Sequence, residues 1–141
     1  MQLTNNFSLA ELTVTNSGLK NIPNAEQITK LRRLAKTLEL VRTVCGDRPI
    51  IITSGFRSLE VNRAVSGSKT SAHMRGDAAD YRISGLSIAE ACKLIRESGI
   101  EYDQLIEEYH RGSEWIHLGL SENPRQQNLI FKDGVYRQGA L

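Results

Sequence analysis

The chain has 141 residues, of which 40% are apolar and 24% charged, a composition that excludes fibrous and disordered chains and suits one domain with a substantial core. Its 18 Lys and Arg against 16 Asp and Glu leave a formal net charge of +2, which gives no reason to expect a nucleic-acid partner. No apolar run reaches the length of a membrane span, and the first residues lack the basic and apolar segments of a secretion signal. We therefore expect a monomeric single domain over residues 1–141, made in the cytoplasm and without stable membrane association.

Two capping boxes mark helix starts in the first third of the chain. Ser8 and Glu11 follow Phe7 in "FSLAEL", which predicts a short helical turn with Phe7 at the edge of the core. Asn24 and Gln27 predict the start of the main helix, which continues to about residue 44. Its apolar face recurs at steps of three and four residues and comprises Ile28, Leu31, Ala35, Leu38 and Val41.

Strands and one further helix are predicted in the middle of the chain. The run "PIIITSGF" from Pro49 predicts a buried strand that leads into a loop, and residues 79–83 predict a second strand. Ser87 and Glu90 form another capping box, and Gly99 ends the helix that begins there.

The last third of the chain predicts two hairpins. "DQLIEEY" and "EWIHLGL" flank the turn-like "HRGS", and "NLIFKDGVYRQ" carries Asp133-Gly134 between two β-prone arms. The mixed order of helices and strands predicts the α+β class, with helices packed on a small antiparallel sheet.

The stretch "SAHMRGDAAD" suggests half of a metal site. The chain has three histidines, and catalytic zinc commonly takes three protein ligands, with water in the fourth position. A turn at Gly76 could aim His73 and Asp80 at one point, and His117 could supply the third ligand from another strand. By spacing alone, however, a histidine exposed at the surface or hydrogen-bonded in the core is an equally open interpretation.

These residues carry a family resemblance. The string Ser71-x-His73-x-x-Gly76-x-Ala78-x-Asp80, followed by Glu114-x-x-His117, resembles the signature of the M15 zinc peptidases, the group of D-alanyl-D-alanine carboxypeptidases and L-alanyl-D-glutamate endopeptidases. The similarity includes "ITSGFRS" and extends over roughly residues 7–120. The "FSLAEL" opening and the short chain look like the phage and prophage subgroup.

The resemblance implies a role for each residue. It implies a hedgehog-like or D-Ala-D-Ala-peptidase-like fold that binds one Zn²⁺ through His73, Asp80 and His117. It also implies a general base at Glu114, because a carboxylate beside a zinc-activated water can move the protons that amide hydrolysis requires. Arg57 resembles the arginine that assists the oxyanion, and Ser71 resembles the serine that contacts the substrate.

Several residues allow a second interpretation. Residues i and i+3 of a regular strand point to opposite faces, so Glu114 can join His117 only from a loop or a bulge. Glu107 or Glu108 could replace it as the base, although strand alternation lets only one of the two face the cleft. Arg57 and Ser71 could be an ordinary surface arginine and turn serine. His110 is expected to be exposed, and Asp77 is expected to point to solvent.

The function expected from these residues is hydrolysis of peptidoglycan stem peptides. The enzyme would be an endolysin-type L-alanyl-D-glutamate endopeptidase or a D-alanyl-D-alanine carboxypeptidase. The short connections around the cleft favour the endopeptidase. Such a protein would act on the cell wall, which it could reach through a separate membrane-permeabilising protein. A noncatalytic wall-binding or virion module on the same fold is the alternative, because a fold alone does not determine function.

Overall fold

The computed structural model describes residues 1–139, which form a six-stranded sheet with helices against one face. The helices are α1 (Ala25–Val44), α2 (Leu59–Ala64) and α3 (Ile88–Glu97), with 3-10 turns at Glu11–Thr13 and Ala72–Arg75. The strands are β1 (Ile50–Ser54), β2 (Ala78–Ile83), β3 (Gln104–His110), β4 (Ser113–Gly119), β5 (Gln127–Lys132) and β6 (Val135–Gln138). The predicted α+β class is confirmed.

Two of the three predicted capping boxes are complete, and the third, Ser87 with Glu90, is formed in part. The backbone N–H of Glu11 donates to Ser8 Oγ, and Glu11 Oε1 accepts from the N–H of Ser8. Asn24 and Gln27 make the reciprocal pair at the start of α1, and Ser87 caps α3. Because these contacts satisfy N–H groups that a helix start leaves unpaired, the starts of α1 and α3 are confirmed.

The sheet has the strand order β1-β2-β4-β3-β5-β6. Both predicted hairpins are confirmed, with β3 paired to β4 and β5 paired to β6 in antiparallel register. The sheet is not wholly antiparallel, because β5 runs parallel to β3. The last residue of β4 pairs with the first residue of β3. The loop that follows β4 then crosses to the other side of β3, where β5 begins.

The two faces of the sheet differ. One face packs against α1 and α3 and supplies buried side chains to a continuous hydrophobic core, including Tyr81, Leu105, Ile116 and Leu118. The alternate residues of β2, β3 and β4 point to the other face. Asp80 of β2, Glu108 of β3 and His117 of β4 lie on that second face, away from the core.

Strand β1 differs from its prediction. The sequence predicts a buried strand, but β1 is an edge strand, and Ile51 is 51% exposed. Within residues 1–139, no helix is both long enough and apolar enough to cross a bilayer.

Candidate metal centre

The turn that carries His73 depends on Gly76. Ser71 Oγ accepts the backbone N–H of His73 and caps the turn Ala72–Arg75, and Gly76 ends that turn at φ 81°. A Cβ at Gly76 would lie 2.8 Å from the carbonyl oxygen of Gln27 in α1. Glycine is therefore needed both for the left-handed backbone and for the close approach of the turn to α1.

Three predicted ligands meet on the open face of the sheet. Asp80 in β2 lies directly opposite His117 in β4, and the turn brings His73 beside them. His117 Nδ1 donates to Asp80 Oδ1 at 2.9 Å, and His73 Nε2 lies 3.4 Å from Asp80 Oδ2. The potential ligand atoms of the three side chains all lie within 4.8 Å of one another.

The chemistry of this group fits zinc. Two imidazoles and a carboxylate are typical zinc ligands, and ligands about 2.1 Å from a tetrahedral ion are separated by about 3.4 Å. The distances from His73 and His117 to Asp80, 3.4 and 2.9 Å, are close to that separation. Burial alone would raise the pKa of Asp80, but His73 and His117 outweigh it and hold that pKa well below its usual range. The carboxylate is therefore ionised, as a metal ligand must be.

The three side chains line an open pocket of about 520 Å³ together with Arg57 and Ser71. The Arg57 guanidinium donates to Ser54 Oγ at 3.1 Å and lies 3.5 Å from Asp80 Oδ2. Burial lowers the pKa of Arg57, although the charges of Asp80 and Glu108 oppose that shift. Arg57 thus carries a positive charge beside the three potential ligands.

Glu108 adds a carboxylate to the pocket, which Asp80 and Asp103 also line. Glu108 pairs with Trp115 in the β3–β4 register, and Trp115 Nε1 donates to Glu108 Oε2 at 3.0 Å. Burial, followed by the charge of Asp80, raises the pKa of Glu108. A raised pKa suits a group that must both accept and return a proton near neutral pH.

Glu114 lies elsewhere. The loop or bulge that its predicted role requires is absent, because Glu114 lies within β4 in regular register opposite Tyr109. Its side chain is exposed and lines a different pocket, at the tip of the hairpin, with Arg111 and Lys132. The structure thus places Glu108 beside the potential ligands and leaves Glu114 apart from them.

Asp77 corrects another expectation. The sequence places it toward solvent, but in the structure it is only 5% exposed. Its carboxylate lies 3.0 Å from Arg33 and 3.2 Å from Arg75, so it ties the segment after Gly76 to α1. The role is structural, because this carboxylate faces away from the three potential ligands.

Strand alternation separates Glu107 from the pocket. Glu107 is buried on the face toward α3, where it lies 3.7 Å from Arg96. It therefore cannot replace Glu108 as a carboxylate beside the potential ligands. His110 is exposed at the end of β3, as expected.

Asn62 is a site residue that the sequence did not indicate. It is buried in α2, accepts from Arg57 Nη1 at 3.4 Å and donates to the carbonyl oxygen of Ser68 at 3.0 Å. A Cβ at Gly67 would lie 2.1 Å from Asn62 Oδ1, so the neighbouring loop passes tightly over it. The sequence feature that indicates α2 is Ser58, whose side chain caps the helix. A single capping residue before a helix of only six residues is weak evidence for that helix.

Comparison with known proteins agrees with this geometry. A family model described as peptidase M15 matches residues 5–119. The chain is also 31% identical over 96 residues to the zinc D-Ala-D-Ala carboxypeptidase of Streptomyces albus G. That match covers 67% of this chain and 38% of the relative's length. The matched family region contains His73, Asp80, His117 and Glu108.

Proposed function

Because the chain belongs to the peptidase M15 family, we propose that it is a zinc-dependent peptidase that hydrolyses peptidoglycan stem peptides. The observation that carries the proposal is the pocket in which His73, Asp80 and His117 converge beside the carboxylate of Glu108. A zinc ion bound by the three ligands would lower the pKa of a water toward about 7 and polarise the scissile carbonyl.

In this proposal Glu108 is the general acid and base. Its Oε2 is held by the indole N–H of Trp115, so Oε1 is the atom that accepts a proton from the attacking water. The same carboxyl then returns the proton to the nitrogen of the leaving amine. A positioned acid or base of this kind typically contributes about 10²- to 10⁴-fold to the rate.

Arg57 stabilises the negative charge that develops on the carbonyl oxygen. Its guanidinium is held by Ser54, Asn62 and Asp80, so it needs little reorganisation when that charge appears. Ser71 lies at the pocket wall and offers a hydroxyl to the peptide, in addition to capping the turn that carries His73.

The substrate follows from the relative's chemistry and from the open pocket. The relative's name specifies a D-Ala-D-Ala carboxypeptidase, and we propose cleavage either at that position or at the L-alanyl-D-glutamate bond of the same stem peptide. The place of action is then the cell wall. We also propose a role in phage-type lysis, which the sequence resemblance supports.

The test uses two isosteric variants on adjacent strands. Zinc-loaded wild type, Glu108→Gln and Glu114→Gln are incubated with purified peptidoglycan and with peptides ending in D-Ala-D-Ala, and the fragments are identified by mass spectrometry. Glu108→Gln is expected to lose at least about 10²-fold in rate while retaining zinc, and Glu114→Gln is expected to stay within about twofold of wild type. The fragment masses identify the bond.

Two outcomes would contradict the proposal. If Glu114→Gln is the inactive variant, the base is Glu114 and the β3–β4 register argument fails. If zinc is bound at one ion per chain but the wild type yields no fragments, a noncatalytic wall-binding module becomes the better interpretation.

A further inference from the structure

The segment after residue 119 lies outside the matched family region but contributes to the same pocket. It forms β5 and β6, which extend the sheet beyond β3. Arg125, before β5, and Tyr136, in β6, both line the pocket that contains the three potential metal ligands. The C-terminal hairpin β5–β6 and the residues just before it therefore each contribute one side chain to the lining of the pocket.

Tyr136 reaches the pocket because of the strand register. Trp115 pairs with Glu108, Glu108 with Phe131, and Phe131 with Tyr136, so the four side chains form one row across β4, β3, β5 and β6. Tyr136 is on the edge strand, and its ring packs on Phe131 with 4.6 Å between the ring centroids. Phe131 thus lies between Tyr136 and Glu108 and packs against the Tyr136 ring.

The Tyr136 hydroxyl is a hydrogen-bond donor at neutral pH. Partial burial raises its pKa, and the charges of Glu108 and Asp80 raise it further, so the phenol stays protonated. The residue is nevertheless 56% exposed, which leaves it accessible to a molecule in the pocket. Carboxylates such as those of Asp80 and Glu108 can only accept hydrogen bonds when they are ionised. The carbonyl and carboxylate oxygens of a peptide need donors, and Tyr136 adds one to those of Arg57 and Arg125 in the same pocket.

We propose that Tyr136 is a substrate-binding residue, whose hydroxyl donates a hydrogen bond to a carbonyl or carboxylate oxygen of the peptide in the pocket. Its ring also offers an apolar surface to small side chains of that peptide, such as the methyl group of alanine. This inference rests on the proposed peptidase function. It assigns a part in substrate recognition to the C-terminal hairpin, which lies outside the family-matched residues 5–119.

The test compares Tyr136→Phe with a matched change on the same strand. Tyr136→Phe removes only the hydroxyl and keeps the packing on Phe131. Val135→Ala removes an exposed side chain from the neighbouring position, which points to the opposite face of β6. Initial rates on a peptide ending in D-Ala-D-Ala and on purified peptidoglycan give kcat and KM for each zinc-loaded protein. Calorimetric titration with the purified cleavage product measures binding independently of turnover.

The expected result is a separation of KM from kcat. Tyr136→Phe should raise KM about tenfold and weaken product binding to a similar extent, as the loss of one hydrogen bond at a binding site predicts, while kcat stays within about twofold. Val135→Ala should match the wild type in all three quantities. Unchanged KM and product affinity in Tyr136→Phe would overturn the inference while leaving the peptidase function intact, as would a fall in kcat alone. A wild type that cleaves neither substrate would overturn both.

Discussion

Hydrogen bonds already select the ring nitrogens that face the site. His73 Nδ1 donates to the carbonyl oxygen of Gly55 at 2.8 Å, so Nε2 is the ring nitrogen that faces Asp80. His117 instead directs Nδ1 toward Asp80. The contact of His73 with Gly55 is of the kind that fixes the orientation and tautomer of a ligand histidine. The Gly55 carbonyl is thus as much a part of the site as the side chains, although a backbone group leaves no signal in the sequence.

The contact between Trp115 and Glu108 predicts a shift in the pH dependence of hydrolysis. Burial and the charge of Asp80 raise the pKa of Glu108, while the hydrogen bond from Trp115 opposes that rise. Trp115→Phe removes this donor, so the pKa should rise further. Because the base must be ionised, the acid limb of kcat/KM should move to higher pH, which rate profiles measured between about pH 4 and pH 9 would detect.

The control for this prediction is Tyr109→Phe. The Tyr109 hydroxyl donates to Glu107 on the other face of β3, so its removal should leave the acid limb in place. A limb that is unchanged in Trp115→Phe, or that moves equally in both variants, would remove the support for Glu108 as the titrating base.

The sequence predicts those helices and hairpins that local contacts determine. Helices α1 and α3 follow from their capping boxes and apolar faces, and both hairpins follow from turn residues with positive φ, such as Asp133 and Gly134. The β2–β4 pairing that joins Asp80 to His117 and the parallel β3–β5 pairing connect strands that are not adjacent in sequence. No local pattern encodes those pairings, so the ligand set depended on the family resemblance.

The proposal of Glu108 rather than Glu114 as the base rests on strand register, whereas the sequence prediction rests on spacing. The Glu114-x-x-His117 spacing suggested a base three residues from a ligand, but three steps along a regular strand reverse the side-chain direction. Because Trp115 and His117 are two residues apart in β4, their side chains point to the same face. Counting back across the Arg111-Gly112 turn would have placed Glu108 opposite Trp115, as the structure does.

The turn at Gly76 gives a prediction for zinc affinity. Gly76→Ala adds strain at φ 81° and brings a Cβ to 2.8 Å from the Gln27 carbonyl oxygen, so the turn must move away from α1 and carry His73 with it. Zinc affinity should fall about 10- to 100-fold, the usual effect of disturbing the support of a metal ligand. Competition with a chromogenic zinc chelator measures the change.

Gly99→Ala is the matched control for Gly76→Ala. Gly99 has φ 83°, but its Cβ would meet nothing within 4 Å. This variant should lose only about 1–2 kcal/mol of stability from the left-handed backbone and keep wild-type zinc affinity. Equal affinities in both alanine variants would show that the turn does not position His73.

The sheet has the hydrophobic core on one face and the potential metal ligands on the other. The hydrophobic core lies between the sheet and helices α1 and α3, whereas His73, Asp80 and His117 lie on the opposite face. Residues Leu105 and Ile116 alternate along their strands with the pocket residues Ile106 and His117. The core therefore does not require the metal for its own packing, and the zinc-free chain is expected to fold.

This separation predicts a graded thermal response to zinc. Binding to the folded chain alone should stabilise it by about 2.7 kcal/mol when free zinc is about 100 times the dissociation constant, which corresponds to a rise in Tm of about 5–10 °C for a domain of this size. Scanning calorimetry of the chelator-treated protein with increasing zinc measures the shift. His117→Ala should abolish the shift, and His110→Ala, which changes an exposed histidine outside the pocket, should preserve it. A chelated protein without a cooperative transition would mean that the core depends on the metal after all, and a shift retained in His117→Ala would place the stabilising ion elsewhere.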